Sequence, residues 1–282
     1  MPASVGPIFK SSREHLMNFE HYINLAKSQT PFAIDGSWAQ GRSIFGGLSA
    51  ALILSHIEAQ TGLGDRDLRT INVHFCGAIN ANEDCELTYQ VLSSGKSIYQ
   101  IQGQLLQQGQ VKTQVMTCFG MQRPSAAIVE SENFKQEMPF KKAMKMPYIK
   151  GITPELVQKV DARLSSKNIP FSGSEISQTN GWMCFEDAPA IFSDAAILAL
   201  IDAWPPAILP MLTKPAPAST ITWNIEFIQP RAPLKTDDYL YYECDVVQAQ
   251  LGFAHTEGRV YHPDGELLAL TRQLVGVYDK VD

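Results

Sequence analysis

One carboxylate in this chain sits where a carboxylate needs partners. Asp202 lies in AAILALIDAW, an apolar helical run that Pro205 and Pro206 end. In such a setting an acidic group is either paired or has a raised pKa. With a water beside it, Asp202 is a candidate general base. The plainer reading, that it caps a neighbouring turn or reaches a solvent edge, stays open. Thr220 starts the strand-like run TITWNIEF and shares its polar parity with Thr222, Asn224 and Glu226, opposite Ile221, Trp223, Ile225 and Phe227. A hydroxyl both donates and accepts, so it can bridge a carboxylate and a water; it also suits a strand for its β-propensity alone. Gln273 shares parity with Leu267, Ala269, Thr271, Val275 and Val277. An amide on an apolar face needs partners, because unpaired burial costs about 1–3 kcal/mol. It can fix a water with its carbonyl and donate to Asp202 with its amide, or lie at a sheet edge and reach solvent. Gly46 and Gly47 open an apolar helix. Glycines there admit close approach to free N–H groups that favour an oxyanion, and they equally serve tight packing of helix on sheet. The chemistry these residues offer is activation of a water.

The elements that must position them come twice. Trp38, GRSIFGGLSAALILSHIEAQTG, LRTINVHF and further strand-like runs are matched in order by Trp182, IFSDAAILALIDAWPPA, ASTITWNIEF and further strand-like runs. Thr70, Asn72 and Phe75 correspond to Thr222, Asn224 and Phe227, and Gly109 to Gly265. The order of signals indicates two copies of one fold. In each copy a helix without a polar face, hence buried on most sides, precedes consecutive strands with short turns. Residues 46–60 read as the first such helix; residues 69–75, 85–93, 97–107 and 110–120 read as its strands, and 239–247, 253–262 and 267–278 repeat the last three. That arrangement favours an antiparallel sheet wrapped around a helix over alternating parallel units. The Asp occurs in the second copy only, the matching position in the first being Ser55. One site per chain is the expectation.

Composition bounds the rest. The chain has 282 residues, 45% hydrophobic and 18% charged, enough for a large core and outside the disordered or disulfide-scaffold classes. With Lys+Arg 23 against Asp+Glu 29 the net charge is -6, which does not suit a nucleic-acid binder. The five cysteines, Cys76, Cys85, Cys118, Cys184 and Cys244, are widely spaced without zinc-ligand pattern, so no metal or cofactor is expected, and reduced thiols point to the cytoplasm. No signal-peptide pattern is present, and the longest apolar runs are too short or carry Asp202 and prolines, so no membrane span is expected. Residues 123–180 lose the pattern of the copies and read as a linker, in which Thr153 as N-cap and Pro154 at the first helical position predict a short helix over ELVQKVDARL.

These features resemble the bacterial acyl-CoA thioesterase II family. The residues that carry the resemblance are RSIFGGLSAALILSH, ALIDAWPPA, STITWNIEFIQPR and DGELLALTRQLVGV, and it covers most of 30–122 and 180–280. It implies an α+β double hotdog: 1–122 as an N-terminal hotdog, 123–180 as linker and 181–282 as a C-terminal hotdog. It implies hydrolysis of acyl-CoA to free acid and CoA, with Asp202, Thr220 and Gln273 orienting the water and the active site between two hotdog units. It also implies assembly beyond one chain, here a homodimer. The chain departs from the family at Ser193, where better-studied members carry a His, and at Ile201, where they carry a hydroxyl. A hotdog hydratase needs a catalytic His near the helix start, which GRSIFGGLSA and IFSDAAILA lack. A non-catalytic acyl-CoA binding module is the other alternative.

Overall fold

The computed structural model describes residues 17–135 and 138–279. The expected buried helices are α2 (Gly46–Gln60) and α3 (Asp194–Asp202). In α2 every residue from Gly47 to Ile57 is buried, as a run without a polar face requires. Ser193 caps α3 by accepting from the Ala196 N–H, and the proline pair beyond Asp202 prevents its extension. An additional helix, α1 (Phe19–Ala26), starts on an Asn18 cap and packs Phe19, Tyr22, Ile23 and Ala26 into the core.

Around the helices runs one twelve-stranded antiparallel sheet. The first copy supplies β4 (Arg66–Phe75), β5 (Asp84–Ser94), β6 (Ile98–Gln107) and β7 (Gln110–Met121). The second supplies β11 (Ala218–Phe227), β12 (Leu240–Gln250), β13 (Phe253–Tyr261) and β14 (Leu267–Val277). Spatial order is β5-β6-β7-β4 followed by β11-β14-β13-β12, with β4 paired to β11 at the centre. There Asn72 lies opposite Asn224, its own counterpart, so an internal pseudo-dyad passes between them. The Asn224 Nδ2 donates to Asn72 Oδ1 at 2.8 Å. Three short strands, β1 (Phe32–Ala33), β2 (Ala39–Gln40) and β3 (Ser43–Ile44), belong to the chain ahead of α2.

Residues 123–180 differ from the expectation. Glu155–Gln158 make a single 3-10 turn behind Pro154, and the helix expected over ELVQKVDARL is absent. Val160–Leu164 form a strand, β9, between β8 (Met144–Lys145) and β10 (Gln178–Phe185). Val160, Ala162 and Leu164 enter the core from it, and alternation outweighs the local capping signal. Thr153 accepts from the Ile149 N–H and caps nothing. All three strands extend the sheet beyond β12.

The repeat extends to packing. Gly103 on β6 and Gly258 on β13 hold equivalent places, opposite Val115 and Thr271. A Cβ on Gly103 would lie 2.4 Å from Ile53 Cγ2 of α2, so this strand lies directly on the helix. Gly103→Ala should therefore destabilise by about 1–3 kcal/mol through overpacking. Thermal unfolding would then fall by roughly 2–4 °C per kcal/mol; an unchanged midpoint would refute this tight contact.

Candidate active site

Asp202 ends α3, and the antiparallel packing of α3 on α2 carries it to the start of α2. A Cβ on Gly46 would lie 3.0 Å from Asp202 Oδ2 and 2.7 Å from the Phe75 ring. A Cβ on Gly47 would lie 2.8 Å from Asp202 Cβ and 3.0 Å from the Ala199 carbonyl oxygen. The geometry requires close packing at this glycine pair: larger residues would force the helices apart. The Gly47 N–H is engaged by the Asp202 carboxylate and favours its ionised form. Burial acts in the other direction and dominates, so the Asp202 pKa rises to about 7. The residue as a whole is half-buried.

Thr220 and Gln273 meet each other. The Thr220 hydroxyl donates to Gln273 Oε1 at 3.2 Å. The parity of the sequence does not show this, because β11 carries a bulge between Thr220 and Thr222. Thr222 faces Leu274 while Thr220 faces Val275, which is fully buried. The extra residue, Ile221, thus turns Thr220 away from Thr222, Asn224 and Glu226 and onto the inner face with Gln273. The apolar parity read for Gln273 holds, since it lies opposite the buried Trp223.

No hydrogen bond joins the Thr220–Gln273 pair to Asp202 among the described residues; Phe75 shares the space at Gly46 with Asp202. Its ring faces Gly46, and its strand β4 runs beside β11, with His74 opposite Thr222. The inner face of the second copy adds groups that the sequence reading passed over. Tyr242 is buried, stacks on Trp204 at 5.6 Å between ring centroids, and lies near enough to Asp202 to feel its charge. Its hydroxyl interacts with Cys244, which in turn bonds to Thr256, and Thr256 lies opposite Gln273. Strand alternation from Gln273 across β13 to β12 is the signal that would have found this row.

The pseudo-dyad identifies what stands at the equivalent places of the first copy. The counterparts of Asp202, Thr220 and Gln273 are Ser55, Leu68 and Thr117, all buried, and the bulge itself recurs between Leu68 and Thr70. Of the other polar residues considered, His56 is buried with Nδ1 at 2.8 Å from the Ala26 carbonyl oxygen, as a packed histidine. His74 and Arg272 line a groove of about 430 Å³ over the central strands, to which Gln273 also contributes and which neither Asp202 nor Arg42 lines. No cluster of three or more His, Cys, Asp or Glu suited to a metal occurs among the described residues.

Because the folded-state pKa of Asp202 is raised, the folded protein holds a proton that the unfolded chain releases above about pH 4. Stability from this group therefore falls as pH rises from about 4 to about 7, and the full cost remains above that window. Asp202→Asn should stabilise the fold at pH 8 by on the order of a few kcal/mol, and by much less at pH 4. Unfolding midpoints of both proteins at the two pH values test this; an equal difference at both would place the charge in solvent.

Comparison with known proteins follows the same division into copies. Residues 34–120 match the acyl-CoA thioesterase N-terminal domain, and residues 134–277 match the acyl-CoA thioesterase C-terminal domain. A conserved protein of unknown function with a hotdog fold from Alicyclobacillus acidocaldarius superposes with TM-score 0.78 at 21% identity, covering 93% of this chain and 99% of the other. An acyl-CoA thioesterase II from Mycobacterium marinum superposes with TM-score 0.70 at 15% identity, covering 92% and 99%. Among curated protein sequences none matches. These superpositions carry the double hotdog fold, and the two domain matches carry the family: the chain belongs to the acyl-CoA thioesterase family.

Proposed function

We propose that this protein hydrolyses an acyl-CoA to free acid and CoA, with Asp202 as general base. The observation that carries the reading is the setting of Asp202: a carboxylate poised near neutral pH by burial, held against the start of a helix. In the ionised state it takes a proton from a water as the water oxygen attacks the thioester carbonyl carbon. The tetrahedral oxyanion collapses, the C–S bond breaks, and the CoA sulfur receives the proton from Asp202. Thr220 and Gln273, already bonded to each other, orient the water. One such site forms per chain, with both copies contributing. The protein assembles as a homodimer in which each chain carries its own site, and five free cysteines suit a reducing cytoplasm.

Free-thiol release from a panel of acyl-CoAs tests the activity. Asp202→Asn keeps the shape and cannot take the proton, so turnover should fall on the order of 10²–10⁴-fold. Near wild-type turnover in this variant would remove Asp202 from the role; no thiol release from any acyl-CoA by the wild type would leave a binding module. Thr220→Val and Gln273→Ala should each lower turnover less, and together less than additively, because they act as a unit. Strictly additive losses would show separate roles.

A further inference from the structure

The sheet ends differently at its two edges. In the second copy β10 covers β12 along Leu240–Asp245, and β9 and β8 continue the sheet. Among the described residues the equivalent strand of the first copy, β5, is covered only at Asp84 and Cys85, by β1. From Glu86 to Ser94 its outer backbone groups have no partner among the described residues, and all of these residues but Leu87 are exposed. Such an edge is normally blunted by Lys, Pro or charge. Here the sequence ELTYQVLSS holds no Lys, Arg or Pro and one charge, Glu86, while Tyr89, Val91 and Leu92 are 37, 42 and 45% exposed.

The strand is also complementary to itself. Opposite residues on paired strands share a face. Leu87, Tyr89 and Val91 lie opposite Leu105, Gly103 and Ile101, on the helix side; Thr88 and Gln90 lie opposite Gln104 and Gln102, on the outer side. An antiparallel pair of β5 strands about a dyad at Tyr89 sets ring against ring. It sets Leu87 opposite Val91 of the partner subunit and Thr88 opposite Gln90 of the partner subunit. Apolar meets apolar on one face, polar meets polar on the other, and no like charges meet. Moving the dyad to Thr88 sets Val91 against Cys85, whose edge Phe32 already occupies. Moving it to Gln90 draws the bulge at Leu92 into the ladder. With the dyad at Tyr89, Val91 of the partner subunit, facing Leu87, comes to the mouth of a groove of about 360 Å³ lined by Pro31, His56, Leu87 and Tyr89. The internal junction is built the same way, with Asn72 opposite its counterpart Asn224.

We infer that a second copy of this chain docks on this edge, β5 to β5 about a dyad at Tyr89, joining two sheets into one. The inference rests on the homodimer reading and is independent of hydrolysis. Regular pairing, Leu87 to Val91, covers only about five residues a side, so association falls in the small-interface class and depends on concentration.

Two variants test it. Tyr89→Cys brings two thiols together across the dyad, so oxidation should give a reducible species of twice the 31.2 kDa chain mass. It should form at least tenfold faster than with Arg272→Cys on the outer face or with the wild type, whose own Cys76 is exposed. Tyr89→Lys opposes two ammonium groups, so light scattering should fall to one chain mass at micromolar concentration, with circular dichroism and thiol release unchanged. A wild type that stays at one chain mass overturns both the dimer and its interface. A dimer that survives Tyr89→Lys, with Tyr89→Cys linking no faster than the controls, overturns the interface and leaves the dimer on another surface. If Tyr89→Lys fails to fold, the cysteine comparison decides alone. Absence of thiol release in the wild type bears on hydrolysis and leaves this interface standing.

Discussion

How closely two helices can approach sets the rest of this molecule. At the start of α2 there is no room for a Cβ on either glycine: Phe45, Phe75, Ala199 and Asp202 occupy the space. With glycine there, α3 lies against α2 and its last residue faces the first N–H groups of its neighbour. The strands must follow. β4 and β11 pair at the centre because the helices they cover are held side by side, and one continuous core contains both. A helix N-terminus carries partial positive charge, so it is a favourable place for a carboxylate that burial would otherwise neutralise.

The internal dyad makes the specialisation of one copy visible. Where the first copy offers Gly46 and Gly47 to a carboxylate, the second offers Ser193 and Asp194. Asp194 is paired with Arg231, and Ser193 caps its own helix. The α2 end that faces them carries Glu58, whose pKa burial raises to about 7, with the Asp194 charge adding to the rise. One junction therefore pairs a carboxylate with backbone donors and the other sets a carboxylate near a second acidic group. Ser55, Leu68 and Thr117 complete the contrast, because they retain the packing of the site without its acid.

Much of this was legible in the sequence, for physical reasons. A helix buried on all sides must be apolar on all sides, so α2 and α3 declare themselves. Strands with one face on a helix must alternate, and β5, β6, β7, β12, β13 and β14 fall within a few residues of the runs read from alternation. The bulge at Ile221 was not legible: one extra residue reverses parity while leaving composition unchanged, so Thr220 read as outward-facing. The strand at Val160–Leu164 was hidden by a Thr-Pro start that outside this sheet would suit a helix. The bond between Thr220 and Gln273 joins residues 53 apart in sequence and depends on that bulge.

The candidate site draws on both copies. Asp202, Thr220 and Gln273 belong to the second copy, yet the groups that enclose Asp202 from the other side, Gly46, Gly47 and Phe75, belong to the first. Burial is the largest cause of the raised pKa, and the first copy supplies part of it together with the opposing N–H. Removed from that contact, Asp202 would be an ordinary solvated carboxylate, ionised throughout the neutral range and a weaker base. The second copy holds the acid, and the first sets its strength.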